Sequence, residues 1–387
     1  MDFRYSEEQL ALQDTLQRFI SRDYDFEHRR ALSRSPLGFS AEAWERYAEL
    51  GLLALPFPEE FGGLGGNGVD VMAVMEQIGQ GLLLEPYLST VVLCGGLIRD
   101  AAAEPVKQSL LPRIAAGKLQ MALAAYESAG RYDLAHVACS AAREGDGWRL
   151  SGRKAVVLDA PSADYFLVSA RSAGTVSDPE GVSLFLVQRD APGMTTFAYP
   201  TQSGGRAADL QLNAVHAEAV IGTPGRALGI IGRAVESAVA ALCAEALGIV
   251  TALNEATLNY LKTRKQFGVP IGAFQVLQHR MAEMIIAAEQ TRSMAIIAAV
   301  HVEEGDAAKR GRAISGAKAY IGQAARFVGQ QAVQLHGAMG VVDDVIVSHY
   351  FKRLTMIDMS LGDADFHLGR FSDILIEYDH RRSSLIG

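Results

Sequence analysis

Lys262-Thr263-Arg264-Lys265-Gln266-Phe267-Gly268-Val269-Pro270-Ile271-Gly272-Ala273-Phe274-Gln275 closes a long alanine-rich segment of the 387-residue chain. The periodic apolar residues before it stop at Leu261, cations follow, and Gly268 with Pro270 forbids continuation, so the spacing predicts a helix C-terminus. Cations suit the negative end of a helix macrodipole, which by itself would explain the cluster. An arginine, an amide, an aromatic ring and a glycine in immediate succession add a fork for phosphate, a hydrogen-bonding head and a stacking face. The stretch therefore reads as one arm of a nucleotide site.

Working outward, helical periodicity covers Ala234 to Arg264, Ala273 to Glu304, Ala307 to Leu335 and Ile374 to Arg381. Four or more such helices make a bundle, and its closely spaced small residues suit close helix approach and self-association. Upstream, Trp148-Arg149-Leu150, Lys154 to Leu158, Asp164 to Val168 and Val182 to Val187 are short runs bounded by turn residues, which predicts strands. Gly145-Asp146-Gly147 joins two of these runs as a hairpin would, and Pro224-Gly225 ends the strand region. Further upstream the chain reads as helical again. Ser6 precedes Glu7-Glu8 and an amphipathic run, Ser40 caps a helix ending at Leu50-Gly51, and helical periodicity continues over Val69 to Gly81 and Leu84 to Ala115 with breaks at Pro86 and Pro105. The chain is thus mainly α with a central β domain, divided at 1–118, 119–224 and 225–387.

Composition excludes several classes. With 49% hydrophobic and 21% charged residues the chain is an ordinary globular one, neither disordered nor of low complexity. A formal charge of -8 opposes a general nucleic-acid surface. Cys94, Cys139 and Cys243 have no metal or disulfide spacing and fit a reducing cytoplasm, and neither an export signal nor membrane insertion is expected. Gly63-Leu64-Gly65-Gly66-Asn67-Gly68 matches the dinucleotide pattern literally, but the prolines at 56 and 58 preclude a central strand before it. Asp363, Asp365 and His367 share one short loop and offer no closed metal-ligand set.

Two more clusters stand outside ordinary helix or strand logic. Gln334-Leu335-His336-Gly337-Ala338-Met339-Gly340 is a helix end whose glycines admit a ligand to backbone N–H groups, or else a plain C-cap. Leu361-Gly362-Asp363-Ala364-Asp365-Phe366-His367 enters the last helix, with Asp363 also readable as its N-cap.

With Pro58-Glu59-Glu60-Phe61-Gly62-Gly63-Leu64-Gly65, Gly152-Arg153-Lys154, Arg264 to Gln275 and Gln334 to Gly340 in this order, the whole chain resembles the acyl-CoA dehydrogenase family. A finer likeness, to the small subunit of a two-component member, runs from Tyr24-Asp25-Phe26-Glu27 and Tyr47 to Pro56 through Gly362-Asp363-Ala364-Asp365. The resemblance implies an N-terminal helical domain, a middle β-barrel and a C-terminal four-helix bundle. It also implies FAD and an acyl-CoA substrate oxidised to the 2,3-enoyl-CoA, a carboxylate taking the C2 proton while hydride passes from C3 to the flavin. Arg264, Gln266, Phe267, Gln275, Gln334, Gly337 and Ala338 match positions that hold the pyrophosphate and adenosine of FAD bound mainly by a neighbouring subunit, so a dimer or tetramer is implied, with electron-transfer flavoprotein as redox partner.

The departures from the family pattern fall on one side. Where the family carries its base, this chain has Ser360-Leu361-Gly362-Asp363, and Leu361 takes no proton. The family's alternative base position falls near Ala238, with Glu236 two residues away on another helical face. The loop expected at the flavin ring reads Tyr126-Glu127-Ser128-Ala129-Gly130-Arg131-Tyr132-Asp133, of which Glu127 and Asp133 match, and the residues that flank the ring are Val156 and Leu158. This pattern suggests division of labour with a large acyl-CoA dehydrogenase subunit that supplies base and ring contacts. Two alternatives stand beside it: a self-sufficient homo-oligomer with Asp363 or Asp365 as base, and a non-catalytic acyl-CoA binder or structural partner. Arg131 is the candidate cation for a terminal carboxylate on the acyl group.

Overall fold

In the computed structural model, which describes residues 5–383, the chain divides by its contacts into two units. The first comprises residues up to 29, 67–83 and those from 239 onward; the second comprises 30–66 and 84–238.

The first unit begins with α1 (Glu7–Asp23). Ser6 and Gln9 close a reciprocal capping box, as the Ser-x-x-Gln spacing requires. The next helix, α2 (Phe26–Arg34), includes residues 29 and 30, where the division first falls. Asn67 and Asp70 close a second capping box for α4 (Gly68–Gly81), which packs on α1. The remaining helices are α7 (Leu228–Thr263), which belongs to this unit from residue 239 onward, α8 (Gln275–His301), α9 (Ala307–His336), α10 (Ile346–Met359) and α11 (Ala364–Ser383). The alanine-rich α9 touches α8, α10 and α11. Small residues set how closely α4 and α7 cross: a Cβ on Gly79 would lie 2.1 Å from Glu245 O, and one on Gly248 would lie 1.9 Å from Glu76 O. Beside that crossing the carboxylate of Glu245 binds Arg353 of α10 in bidentate fashion. Sequence periodicity misses α10 altogether and starts α11 at Ile374, ten residues late, because the short segments after Gly337 and Gly362 interrupt the pattern. An 18-residue window of α7 is apolar enough to cross a membrane, but 89% of it is buried within the protein, as in a core helix.

The second unit opens with α3 (Ala41–Glu49), capped by Ser40 and followed by Gly51 at φ +75°. A π-helical turn (Leu88–Gly95), α5 (Gly96–Ala101) and α6 (Glu104–Ala115) lead into eight strands. These are β1 (Met121–Ala124), β2 (Ser140–Glu144), β3 (Gly147–Leu158), β4 (Tyr165–Arg171), β5 (Val182–Gln188), β6 (Met194–Pro200), β7 (Arg206–Ala217) and β8 (Ala219–Ile221). They form one sheet in the order β6-β7-β3-β2-β4-β5-β8. β1 and then Ser140 of β2 pair parallel with successive parts of β4, and the other neighbours are antiparallel. The β2–β3 hairpin turns at Gly145-Asp146 as the sequence predicts. β4 and β5 are buried almost throughout, so the core of this unit lies on Phe166, Val168, Leu184 and Phe185. The glycines of the literal dinucleotide pattern have a different task. The 3-10 turn Glu59–Phe61 precedes them, and Gly63 packs where a Cβ would lie 1.9 Å from Phe57 O.

Candidate functional site

The quoted stretch ends α7 as expected, but the chain does not go slack there. Lys265–Gln266 and Val269–Pro270 pair as a two-residue hairpin with Phe267 at φ +54° and Gly268 at φ +84°. Both turn positions need positive φ, which glycine takes freely and phenylalanine rarely does. The hairpin is anchored by Ile271 N donating to Arg264 O at 2.8 Å. Phe267 is 91% exposed and meets the edge of Phe274, with ring centroids 6.2 Å apart. Arg264, Gln266 and Gln275 are exposed as well, and the Arg264 guanidinium engages no acceptor among the described residues.

The second cluster is brought to this one. Tyr260, one turn before Arg264, stacks on His336 at 4.4 Å, and Arg280 of α8 donates to Gln331 of α9 at 3.2 Å. Burial lowers the His336 pKa, which favours the neutral form of the stacked ring. Gln334, Gly337 and Ala338 are exposed at the end of α9, and Gly337 (φ +60°) has no atom within 4 Å of where a Cβ would stand. An exposed arginine, three glutamines, an aromatic face and open backbone thus share one end of the α7–α8–α9 group.

The third cluster is elsewhere. Lys318, fully buried on α9, donates to Asp358 O at 2.8 Å and Gly362 O at 2.7 Å, and His367 Nε2 donates to Leu361 O at 3.0 Å. These donors fix a loop that holds Leu361 at φ +57° and Gly362 at φ +109°. Lys318 precedes His336 by eighteen residues on the same helix, a separation of about 27 Å at 1.5 Å per residue. Asp363 Oδ1 accepts from Phe366 N at 2.8 Å and caps α11, while Asp365 is exposed in its first turn. Sequence reasoning overlooked Lys318, although a lone cation between Ala317 and Ala319 on an otherwise apolar face was its signal.

In the β unit, Glu127 is buried and holds the loop after β1. Its carboxylate accepts from Ala138 N (2.8 Å), Cys139 N (3.0 Å) and the buried Lys154 Nζ (2.7 Å). Burial alone would raise the Glu127 pKa, but the ammonium and the two backbone N–H groups outweigh it and hold the carboxyl below the usual range. Arg171 anchors the following segment through the carbonyls of Ala135, Val137, Val176, Asp178 and Glu180. Val156 sits on a β-bulge at φ +52°, 56% exposed, its N–H donating to Asp209 Oδ1. A pocket of about 450 Å³ opens beside this loop, bordered by Ser128, Ala129, Arg153 and Asp209. Arg131, exposed in the turn at φ +50°, is not among the residues lining it; Arg153 is.

Helical and β units of this kind, with glycine-bearing arms at helix ends, define a class that sequence comparison makes specific. Family models match three successive segments: acyl-CoA dehydrogenase N-terminal domain over residues 6–118, middle domain over 122–218 and C-terminal domain over 228–374. Acyl-CoA dehydrogenase FadE27 of Mycobacterium tuberculosis is 28% identical, over 91% of this chain and 92% of its own length. A point variant of the Tcur3481-Tcur3483 steroid ACAD superposes with a TM-score of 0.87 at 31% identity, covering 97% of this chain and 99% of that one. The ChsE4-ChsE5 complex from Mycobacterium tuberculosis gives 0.89 at 28%, with the same coverage. The chain belongs to the acyl-CoA dehydrogenase family and carries all three of its domains. It is an acyl-CoA dehydrogenase, an oxidoreductase acting on CH–CH bonds, of an FAD-dependent family.

Proposed function

We propose that this chain is the small, non-canonical subunit of a heteromeric acyl-CoA dehydrogenase and lends an adenosine- and phosphate-binding arm to an FAD whose ring and proton acceptor belong to a large subunit. What supports the reading most is the contrast between the two ends of the cofactor site. Arg264, Gln266, Phe267, Gln275, Gln334, Gly337 and Ala338 stand exposed, offering a guanidinium, amides, an aromatic face and open backbone, and so fit the pyrophosphate and adenosine of FAD. The ring half is not matched. Val156 and Leu158 supply neither a hydrogen-bonding side chain nor a stacking face, and Leu361 supplies no base. No step of the reaction is therefore assigned to a flavin ring held by this chain alone. That two of the similar structures are named as two-component assemblies, ChsE4-ChsE5 and Tcur3481-Tcur3483, agrees with the reading.

Within the family, pimeloyl-CoA dehydrogenase small subunit is the proposed counterpart, on Tyr24 to Glu27, Tyr47 to Pro56 and Gly362 to Asp365. The substrate class is then an acyl-CoA that includes dicarboxylate thioesters, with Arg131 as the proposed cation for a terminal carboxylate. Electron-transfer flavoprotein is the proposed acceptor and the cytoplasm the proposed compartment. The competing reading, with Asp363 or Asp365 as base, has weaker support, because one Asp363 oxygen is committed to capping α11 and Asp365 faces water. Turnover of an acyl-CoA panel with an artificial electron acceptor tests the proposal. The chain alone is expected to be inactive and the chain with its large subunit active; full turnover by the chain alone would overturn it.

A further inference from the structure

The Tyr24-Asp25-Phe26-Glu27 stretch takes no part in the cofactor arm itself, but it leads into a buried polar junction of the first unit. Tyr24 is 3% exposed, and Asp25 Oδ1 accepts from His28 N at 2.8 Å as α2 begins. One turn on, the buried Arg29 donates from Nε to Leu82 O at 2.8 Å, at the left-handed end of α4. Its Nη1 lies 3.1 Å from His349 Nδ1 in α10, and Phe26 packs nearly perpendicular to the same imidazole, with ring centroids 4.9 Å apart.

These partners fix the state of His349. A guanidinium has donors only, so Nδ1 accepts and carries no proton. Nε2 then carries the single proton of the ring and donates it to Asp343 O at 2.9 Å, with Asp343 Oδ1 at 3.3 Å. Burial, first of all, lowers the His349 pKa, which favours this neutral form. Lys352 Nζ is a further donor to Asp343 Oδ1, at 2.9 Å. Asp343 is thus held by both its carbonyl and its carboxylate.

Asp343 lies in the segment 337–345, which joins α9 to α10 and begins with Gly337 and Ala338. Gly340 seats this segment on α9, where a Cβ would stand 2.6 Å from Val333 O. Met339 and Val341 flank that contact and stand 47% and 70% exposed. Val342 N donates to Met339 O at 3.3 Å and Val345 N to Val342 O at 3.1 Å, so successive turns carry the chain from the arm to Asp343 and on to α10. We propose, on the reading of the arm given above, that His349, itself locked by Arg29, is a positioning residue for cofactor binding: its bond to Asp343 O sets the shape in which Gly337 and Ala338 offer their backbone to the pyrophosphate and adenosine of FAD. The stretch from Tyr24 to Arg29 thereby acts on the arm from the opposite end of the chain.

The test pairs FAD affinity, by equilibrium dialysis, with hydrogen exchange of residues 337–345, by mass spectrometry, on variants of this chain assembled with its large subunit. His349→Leu is expected to weaken FAD by about tenfold or more and to speed exchange in 337–345 while α9 and α11 stay protected. His349→Gln, whose amide supplies a donor and an acceptor, is expected to stay within about threefold of the native protein. Should His349→Leu fail to fold, Lys352→Met removes the other donor to Asp343 and is expected to weaken FAD by about threefold, with the same local change in exchange. Native FAD affinity in His349→Leu, a loss in His349→Gln as large as in His349→Leu, or faster exchange spread over α9 and α11 would overturn the proposal. Arg264→Ala separates the role of His349 from the reading of the arm. Loss of FAD in Arg264→Ala with none in His349→Leu overturns the role of His349 alone, whereas no loss in either variant overturns the reading of the arm as well.

Discussion

Replacing Lys154 by methionine keeps the volume of the side chain but strands the Glu127 carboxylate in the floor of the β unit. The ammonium is 0% exposed and its partner 9%, at 2.7 Å, and Lys154 Nζ also donates to Ser169 Oγ at 3.0 Å. Removing one member of a buried pair costs about 3–5 kcal/mol. Glu127 would keep two backbone donors, from Ala138 and Cys139, which places Lys154→Met near the lower end, at about 3 kcal/mol. Adding Glu127→Gln removes the stranded charge. The amide oxygen still accepts from one of those N–H groups and loses the other, so the double variant should stand only about 1–2 kcal/mol below the native protein. Both tryptophans, Trp44 and Trp148, lie in the second unit, so intrinsic fluorescence during urea unfolding follows it. With its carboxyl held below the ordinary range, Glu127 contributes stability above the unfolded pKa of about 4.3 that is lost as pH falls through the folded value. At pH 5 the pair should still be intact. A Lys154→Met cost under about 1 kcal/mol, or a double variant less stable than the single one, would refute the pairing argument.

Other outcomes follow from the first unit. Burial, and then the nearby Lys318 charge, push the His367 pKa down to about 4. Its neutral form therefore contributes stability that is complete above the unfolded value of about 6.5 and shrinks as pH falls toward 4, a loss of about 2 kcal/mol between pH 8 and pH 5; urea midpoints should show this slope, and His367→Gln should lack it. Asp363→Ala should cost about 1 kcal/mol as a lost cap and Asp363→Asn much less, with neither changing turnover of the assembled enzyme; loss of turnover in Asp363→Asn would favour the alternative base. Arg264→Ala and Phe267→Ala, both exposed, should leave stability within about 0.5 kcal/mol. Removing the guanidinium should nonetheless weaken FAD retention by the complex about tenfold or more, measured by equilibrium dialysis.

Local chemistry was legible where one residue decides it. Ser6 with Gln9 and Ser40 before Ala41 announce helix starts, and Gly145-Asp146 announces a hairpin. The end of α7 was equally plain, but the hairpin beyond it was not, because a phenylalanine at positive φ carries no sequence signal. The parts that depend on distant partners were hidden. Lys318 stands out in sequence only as a cation on an apolar face, and its partners, the carbonyls of Asp358 and Gly362, are set by distant elements; Arg153 rather than Arg131 borders the pocket because strand register, not proximity in sequence, sets the lining. The arm and the Gln334–Gly340 cluster lie some seventy residues apart in sequence, and it is the stack of Tyr260 on His336 that places the ends of α7 and α9 side by side.

The most direct test of the divided site is flavin stoichiometry. The chain is expressed alone and with its large subunit, and visible absorbance is divided by protein concentration. A colourless chain alone and a yellow complex, whose flavin is lost when Arg264 and Phe267 of this chain are replaced by alanine, is the predicted result. One FAD per chain in the isolated protein, unaffected by those replacements, would contradict it.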